Sequence, residues 1–184
     1  MTLFYSDHFS ADQGETGHYT TKLSPDKIVT VGKKHSRIRR TAAYYTIPAS
    51  TDMADNDEIH YFDMKSGDRL INLFFSQDAN QGATATYDLG VYLKSTGLEV
   101  DDNLFAAADD WAGAIAREDL FTQATTLDNW DRGKTLWELA AIGGGSDTVD
   151  PQVMYTIVAT ATANITVVDD AVETLVEAYY IAGD

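Results

Sequence analysis

The sequence predicts an all-β fold: an antiparallel, jelly-roll-like β-sandwich with one or two short helices and an N-terminal arm. Three observations predict it. From about residue 27 apolar residues recur with period two, the spacing that places alternate side chains on one face of a strand. Six to eight short candidate strands are punctuated by turn residues, the pattern of a sandwich. Only two stretches carry a helical stripe or a helix-start signal.

The elements follow in order. Ile28-Val29-Thr30-Val31 starts a strand that continues toward Ile47 through a basic segment. Residues 59–64 and 69–75 are the next two, and the Gly67-Asp68 spacer between them predicts a hairpin. In residues 84–94, Tyr87, Leu89, Val91 and Leu93 share one face, and Asp88, Gly90, Tyr92 and Lys94 the other. The longest alternation runs over residues 153–167, with every odd position apolar and the even positions mostly Thr and Asn. That split predicts one face on the core, shared with Tyr87, Leu89 and Val91, and one on water or a partner. Fifteen residues exceed a usual strand, so a bend is expected near Ala163-Asn164. A last strand covers residues 173–181.

Residues 109–118 place Trp111, Ala114 and Ile115 on one helical stripe. Thr135-Leu136-Trp137-Glu138 has the form of a capping box, in which hydroxyl and carboxylate satisfy free N–H groups at a helix start. That helix should stop at Gly143-Gly144-Gly145. Residues 1–26 are polar, with scattered apolar positions, and read as an arm; residues 27–184 form the sandwich domain.

Composition bounds the function. There is no cysteine among 184 residues, which excludes disulfides, thiolate metal sites and a cysteine nucleophile. Net charge is −16, so the surface repels phosphate and generic nucleic-acid binding is not expected. No run of 18 apolar residues exists, so no membrane partner is expected. The charge is uneven: residues 1–40 carry seven basic and four acidic side chains (+3), and residues 41–184 carry six and 25 (−19).

The residues that bear chemistry do not converge on a catalytic motif. His8, His18, His35 and His60 form no compact ligand pair. Gly143-Gly144-Gly145-Ser146 follows a helix and lacks the lysine of a phosphate loop. Residues 52–58 are rich in carboxylates but lack the ligand order of a calcium loop. No catalytic residue, metal ligand or cofactor site is therefore assigned, and no enzymatic activity is expected.

Lys33, Lys34, Arg37, Arg39 and Arg40 fall in one octapeptide. If extended, neither of its faces is apolar enough for a core. Two readings stand side by side: an edge strand protected by charge or paired locally with the acidic body, or a segment that docks on an acidic partner. Tyr44-Tyr45 and Tyr179-Tyr180 put one ring on each face of a strand, and an aromatic sugar platform is the alternative to core and interface packing.

Three stretches carry a resemblance. They are residues 67–79 with 85–92 (Ala-Thr-Tyr-Asp-Leu-Gly-Val-Tyr), the segment Val100-Asp101-Asp102-Asn103-Leu104-Phe105-Ala106, and Leu136 to Leu139 with Tyr179 to Asp184. Over residues 59–184 the chain resembles small virion structural proteins from the head-gene modules of tailed bacteriophages. In these a strand precedes a Val-Asp-x-x-Leu-Phe-Ala loop, and a short helix and final strand follow. The resemblance implies a non-enzymatic protein that decorates or cements the capsid exterior, made in the host cytoplasm. Its partner would be the major capsid protein lattice. A homo-oligomer is expected, a trimer if it sits on a three-fold lattice point. The basic residues Lys33, Lys34, Arg37, Arg39 and Arg40 are the expected partner-binding set, assigned from charge and not from the resemblance. A carbohydrate-binding module of a head or tail fibre is the alternative.

Overall fold

Strands form where β-branched and aromatic residues alternate with polar ones. In chain order they are β1 (Ile38–Ile47), β2 (Asp52–Met53), β3 (Glu58–Lys65), β4 (Arg69–Gln77), β5 (Thr86–Leu93), β6 (Glu99–Asp110), β7 (Ile115–Asp119), β8 (Met154–Ala161), β9 (Ile165–Thr166) and β10 (Val172–Ile181). Among the described residues one α-helix, α1, spans Leu136–Gly143. The computed structural model describes residues 38–49, 52–82, 85–124, 126–144, 148–166 and 171–183. The predicted arm, the start of the strand predicted from Ile28, and Lys33, Lys34 and Arg37 lie outside the described residues.

Two four-stranded antiparallel sheets pack face to face. The front sheet has the order β1-β10-β4-β7 and the back sheet β3-β8-β5-β6. The pairs are nested: β5 with β6 innermost, then β4 with β7, β3 with β8, and β1 with β10 outermost. Such nesting is a long hairpin rolled into two sheets, which is the jelly roll the sequence predicts. The short pair β2·β9 closes one corner.

The rolling overturns the predicted hairpin at Gly67-Asp68. β3 and β4 lie in different sheets, and β8 and β10 take the edges they would have offered each other. The link is a tied corner. The Asp68 carboxylate accepts from the Lys65 N–H at 3.0 Å and from the Gly183 N–H at 2.8 Å, and the Asp68 carbonyl accepts from Leu136 at 2.9 Å. Gly183 approaches so closely that a Cβ there would lie 2.3 Å from the Gly67 carbonyl oxygen.

Between the sheets lies one apolar core. Leu70, Leu73 and Phe75 enter it from β4, Tyr87, Leu89 and Val91 from β5, and Tyr155, Ile157, Ala159 and Ala161 from β8, as the alternation predicts for β5 and β8. The predicted helix over 109–118 does not form. Residues 99–110 are strand β6, and Trp111 leaves it to insert between the sheets, stacked on Phe75 at 3.8 Å and on Tyr87 at 4.2 Å between ring centres. Asp110 takes the Ala112 N–H at 2.8 Å, and that local bond ends the strand in a turn where a helix would need a cap. Beneath the stack, Tyr87 donates to Gln81 at 2.7 Å, Gln81 donates to Gln77, and the Gln77 amide reaches the carbonyls of Ala79, Trp111 and Gly113.

β6 also replaces the loop expected around 100–106. Leu104, Phe105 and Ala106 are buried consecutively and the pairing with β5 is interrupted three times, so bulges erase the alternation that would have marked a strand. One bulge covers the back of β5: a Cβ on Gly90 would lie 2.0 Å from the Asp101 carbonyl oxygen. Three of the four even positions of β8 are therefore not on water, and Met154 at the strand's start is exposed. Thr156, Val158 and Thr160 are all buried, and Thr160 bonds the Tyr92 hydroxyl at 2.9 Å. The bend expected near Asn164 separates β8 from β9. Helix α1 starts where predicted, with the Glu138 carboxylate accepting from both the N–H and the hydroxyl of Thr135, and ends at Gly144, whose φ is 133°. No described helix is long and apolar enough to cross a membrane.

Two predictions follow from the packing. Leu89→Ala should lose about 2–5 kcal/mol in urea unfolding, from transfer and cavity together. Gly90→Ala should lose at least about 1–3 kcal/mol, because the added methyl displaces β6 backbone. Glu118 on β7 sits opposite Phe75 and beside Asp109 on β6, flanking the Trp111 stack. Burial, then the charge of Asp109, pushes Glu118 up to about 7 from an ordinary 4.5. A raised carboxylate stabilises the fold in its protonated form. Thermal stability should therefore fall as pH rises from about 4.5 through about 7, and Glu118→Gln should flatten that slope.

Candidate functional site

Of the sequence-assigned site residues, Arg39 and Arg40 are described; as neighbours on β1 they point to opposite faces of the front sheet, and Arg40 stands on its outer face. Register sets three rows across it: Arg40, Tyr179 and Asn72; Ala42, Glu177 and Phe74; Tyr44, Leu175 and Ser76. The middle row is an electrostatic cluster. Glu177 accepts from Arg40 Nε and, at 3.0 Å, from the Tyr179 hydroxyl, and its second oxygen lies 3.9 Å from Arg117. Arg117 in turn stands 3.9 Å over the Phe74 ring, which meets Tyr179 edge-on at 6.1 Å. Burial raises the Glu177 carboxyl, but the hydrogen bonds from Arg40 and Tyr179 and the charges of both arginines outweigh it and leave it below its ordinary 4.5.

Arg40 is therefore engaged by the protein's own sheet. Arg39 is different: it lies exposed on the same strand. β1 is the outermost strand of the front sheet, ten residues long, and most of its residues are exposed. Three of its apolar residues are exposed too: Ile38 at 60%, Tyr44 at 71% and Tyr45 at 43%. An edge of this length with uncovered apolar side chains is a template for another chain. At its upper end, Tyr44, Leu175, Ile115 and Ala116 wall a cleft of about 310 Å³. Of the aromatic residues on this face, Phe74 is covered by Arg117, whereas Tyr44 is open.

Elsewhere the chemistry is structural. The Ser66 hydroxyl donates to Asp150 at 2.5 Å in a depression of about 320 Å³ with no histidine in its lining. His60 pairs with Glu58 at 2.8 Å. Among the described residues, no three His, Asp or Glu side chains are placed to hold a metal ion. Asp55 and Asp57, from the carboxylate-rich segment 52–58, sit in a turn where Asp57 caps the Ala54 N–H at 2.7 Å.

Sequence reasoning missed Glu177, Arg117 and Phe74, which are ordinary strand residues until register brings them together. It also missed Trp130, which is 90% exposed. Its signal was available: a tryptophan inside the turn-forming run Asp128-Asn129-Trp130-Asp131 has no strand or helix face to occupy.

No protein-family model and no curated protein matches the chain. Three solved structures are similar to it at low identity. A chain of the capsid of Ralstonia phage GP4 matches at 17% identity and a TM-score of 0.48, over 79% of this chain and 86% of that one. A chain of the cyanophage Pam1 capsid asymmetric unit matches at 17% identity and 0.40, over 78% and 86%. A chain of the acidic stable capsid of Helicobacter pylori bacteriophage KHP30 matches at 15% identity and 0.31, over 77% and 93%.

Replacing Glu177 tests the cluster. Glu177→Gln should cost about 1–3 kcal/mol at pH 7, because two arginines lose their charged acceptor. A lowered carboxylate stabilises only when ionised. The difference from wild type should thus be full above pH 4.5 and shrink as pH falls below it, read from urea melts across pH.

Proposed function

We propose that the protein is a non-enzymatic virion structural protein that decorates or cements the exterior of a tailed-phage capsid, docking on the major capsid protein lattice as a homo-oligomer, with three-fold symmetry the simplest match to a lattice point. The observation that carries this reading is strand β1, a long outer edge with exposed Ile38, Arg39, Tyr44 and Tyr45. Backbone groups on such an edge can pair with a neighbouring chain irrespective of its side chains. The basic residues Lys33, Lys34, Arg37 and Arg39, with Arg40 anchored on Glu177, would steer and select that contact more than they bind. The resemblance of residues 59–184 to virion proteins supports the same reading, and an outside position keeps a −16 chain away from packaged DNA.

Co-sedimentation with empty capsids of the phage that encodes the chain tests it. Deleting residues 1–37 leaves β1 whole, and Arg37→Glu with Arg39→Glu reverses charge without shortening the chain. Both should lower capsid occupancy, the charge reversal by roughly tenfold at low salt and less at high salt, where rim charges are screened. Unchanged occupancy in both variants would remove the basic segment from the docking surface.

A further inference from the structure

We propose that Asp101 is a proton-operated latch for the C-terminal turn of α1: its neutral carboxyl holds that turn against β6, and its carboxylate loosens it. The inference stands apart from capsid docking.

The latch is built where two elements both make room for one residue. Asp101 lies on β6 opposite Val91 of β5 and is only 8% exposed. Its carbonyl oxygen fills the space beside Gly90 on β5. Its carboxyl fills the space beside Gly143, the last residue of α1. A Cβ there would run into Asp101 Oδ2 and would lie 2.9 Å from Leu104 Cδ1. Leu104 on β6 and Leu139 and Ala140 on α1 belong to the apolar core, so the elements that enclose the carboxyl are anchored in dry surroundings.

One atom of this contact is unaccounted for. The Asn103 N–H bonds the Asp101 carboxyl, but Oδ2 has no partner. Among the described residues it is the one buried side-chain oxygen or nitrogen left so. A buried carboxylate oxygen without a donor is costly, whereas a neutral carboxyl carries a proton of its own to donate. α1 supplies acceptors at that end, because the last carbonyls of a helix have no N–H partner within it and form its negative pole. A neutral Asp101 suits this place, and an ionised one is repelled from it.

Nothing packed around it offsets the charge. β6 adds Glu99 and Asp102, and β5 adds Asp88. β8 carries no charge, and α1 carries Glu138, which is spent on Thr135 at the other end of the helix. The cations that follow β5 and precede α1 are committed elsewhere: Lys94 to Asp63, Arg132 to Asp119 and Lys134 to Asp131. Burial pushes the Asp101 carboxyl up from its ordinary 3.8, the Asn103 N–H opposes the rise, and the charge of Asp102 adds to it. A raised carboxyl stabilises the docked turn in its protonated form. The support is full below 3.8 and is lost as pH rises through the raised value.

Amide hydrogen exchange on the full chain, expressed as protection factors from about pH 4 to about pH 8, tests the latch. In wild type the protection of the amides from Ala140 to Gly144 should fall roughly fivefold or more across that range. Asp101→Asn, neutral and of the same shape, should keep the low-pH protection throughout. Asp102→Asn removes only a repelling charge, so it should keep the loss and move its midpoint to lower pH. Glu118 is present in all of these proteins, so its own effect on stability is common to them. A flat wild type, an Asp101→Asn variant that loses protection as wild type does, or an Asp102→Asn variant with an unmoved midpoint overturns the proposal. If Asp101→Asn does not fold, wild type and Asp102→Asn decide it between them.

Discussion

The indole of Trp111, lying flat between Phe75 of the front sheet and Tyr87 of the back sheet, sets how the two sheets meet at one end of the sandwich. Three stacked rings leave no slack there, since a core packs at crystal density and a shift of one ring moves both sheets. The stack is also the point where polar groups are accounted for. The Trp111 carbonyl is satisfied by Gln77, its indole N–H by Asp109 at 3.1 Å, and the Tyr87 hydroxyl by Gln81. A network closed in this way fixes one arrangement, because each member left unpaired in a low-dielectric core would be costly.

Charge is sorted by side of the sandwich. β6, the outer strand of the back sheet, carries Glu99, Asp101, Asp102, Asp109 and Asp110, whereas β1, the outer strand of the front sheet, carries Arg39 and Arg40. Asp88, Glu99 and Asp101 all titrate above their ordinary range; for Asp88 and Asp101 burial leads, and for Glu99 the charge of Asp102 does. By contrast Lys94, Arg132 and Lys134 are each paired with a carboxylate. Negative charge is thus concentrated along β6, while on β1 Arg39 stays exposed and Arg40 is neutralised by Glu177, a distinction the bare total of −16 hides.

Much of this fold was legible in the sequence, and the reasons for the rest are physical. Alternation reveals a strand whose two faces differ, as on β5 and along the odd positions of β8. It fails where both faces are covered, as at Val158, or where bulges shift the phase, as in β6. Turn chemistry at Gly67-Asp68 marked a reversal correctly but not which strands it would join, because pairing depends on partners far along the chain. The candidate site was less legible. Two of five basic residues are described, and one of those, Arg40, is held by a glutamate 137 residues away. No local pattern announces a contact at that separation.

The outermost pair joins the first described strand to the last: Ile38 faces Ile181, and Ile47 faces Val172. Contacts of such sequence separation form late and slowly. During synthesis β1 leaves the ribosome well before β10 and stays without its mate until β10 follows. The assembled edge therefore exists only once the chain has emerged through Ile181. A product stalled before Val172 would present β1 as loose chain, with neither its register nor the Arg40–Glu177 pair to shape it, so a distant segment decides whether the surface that another molecule would meet exists at all.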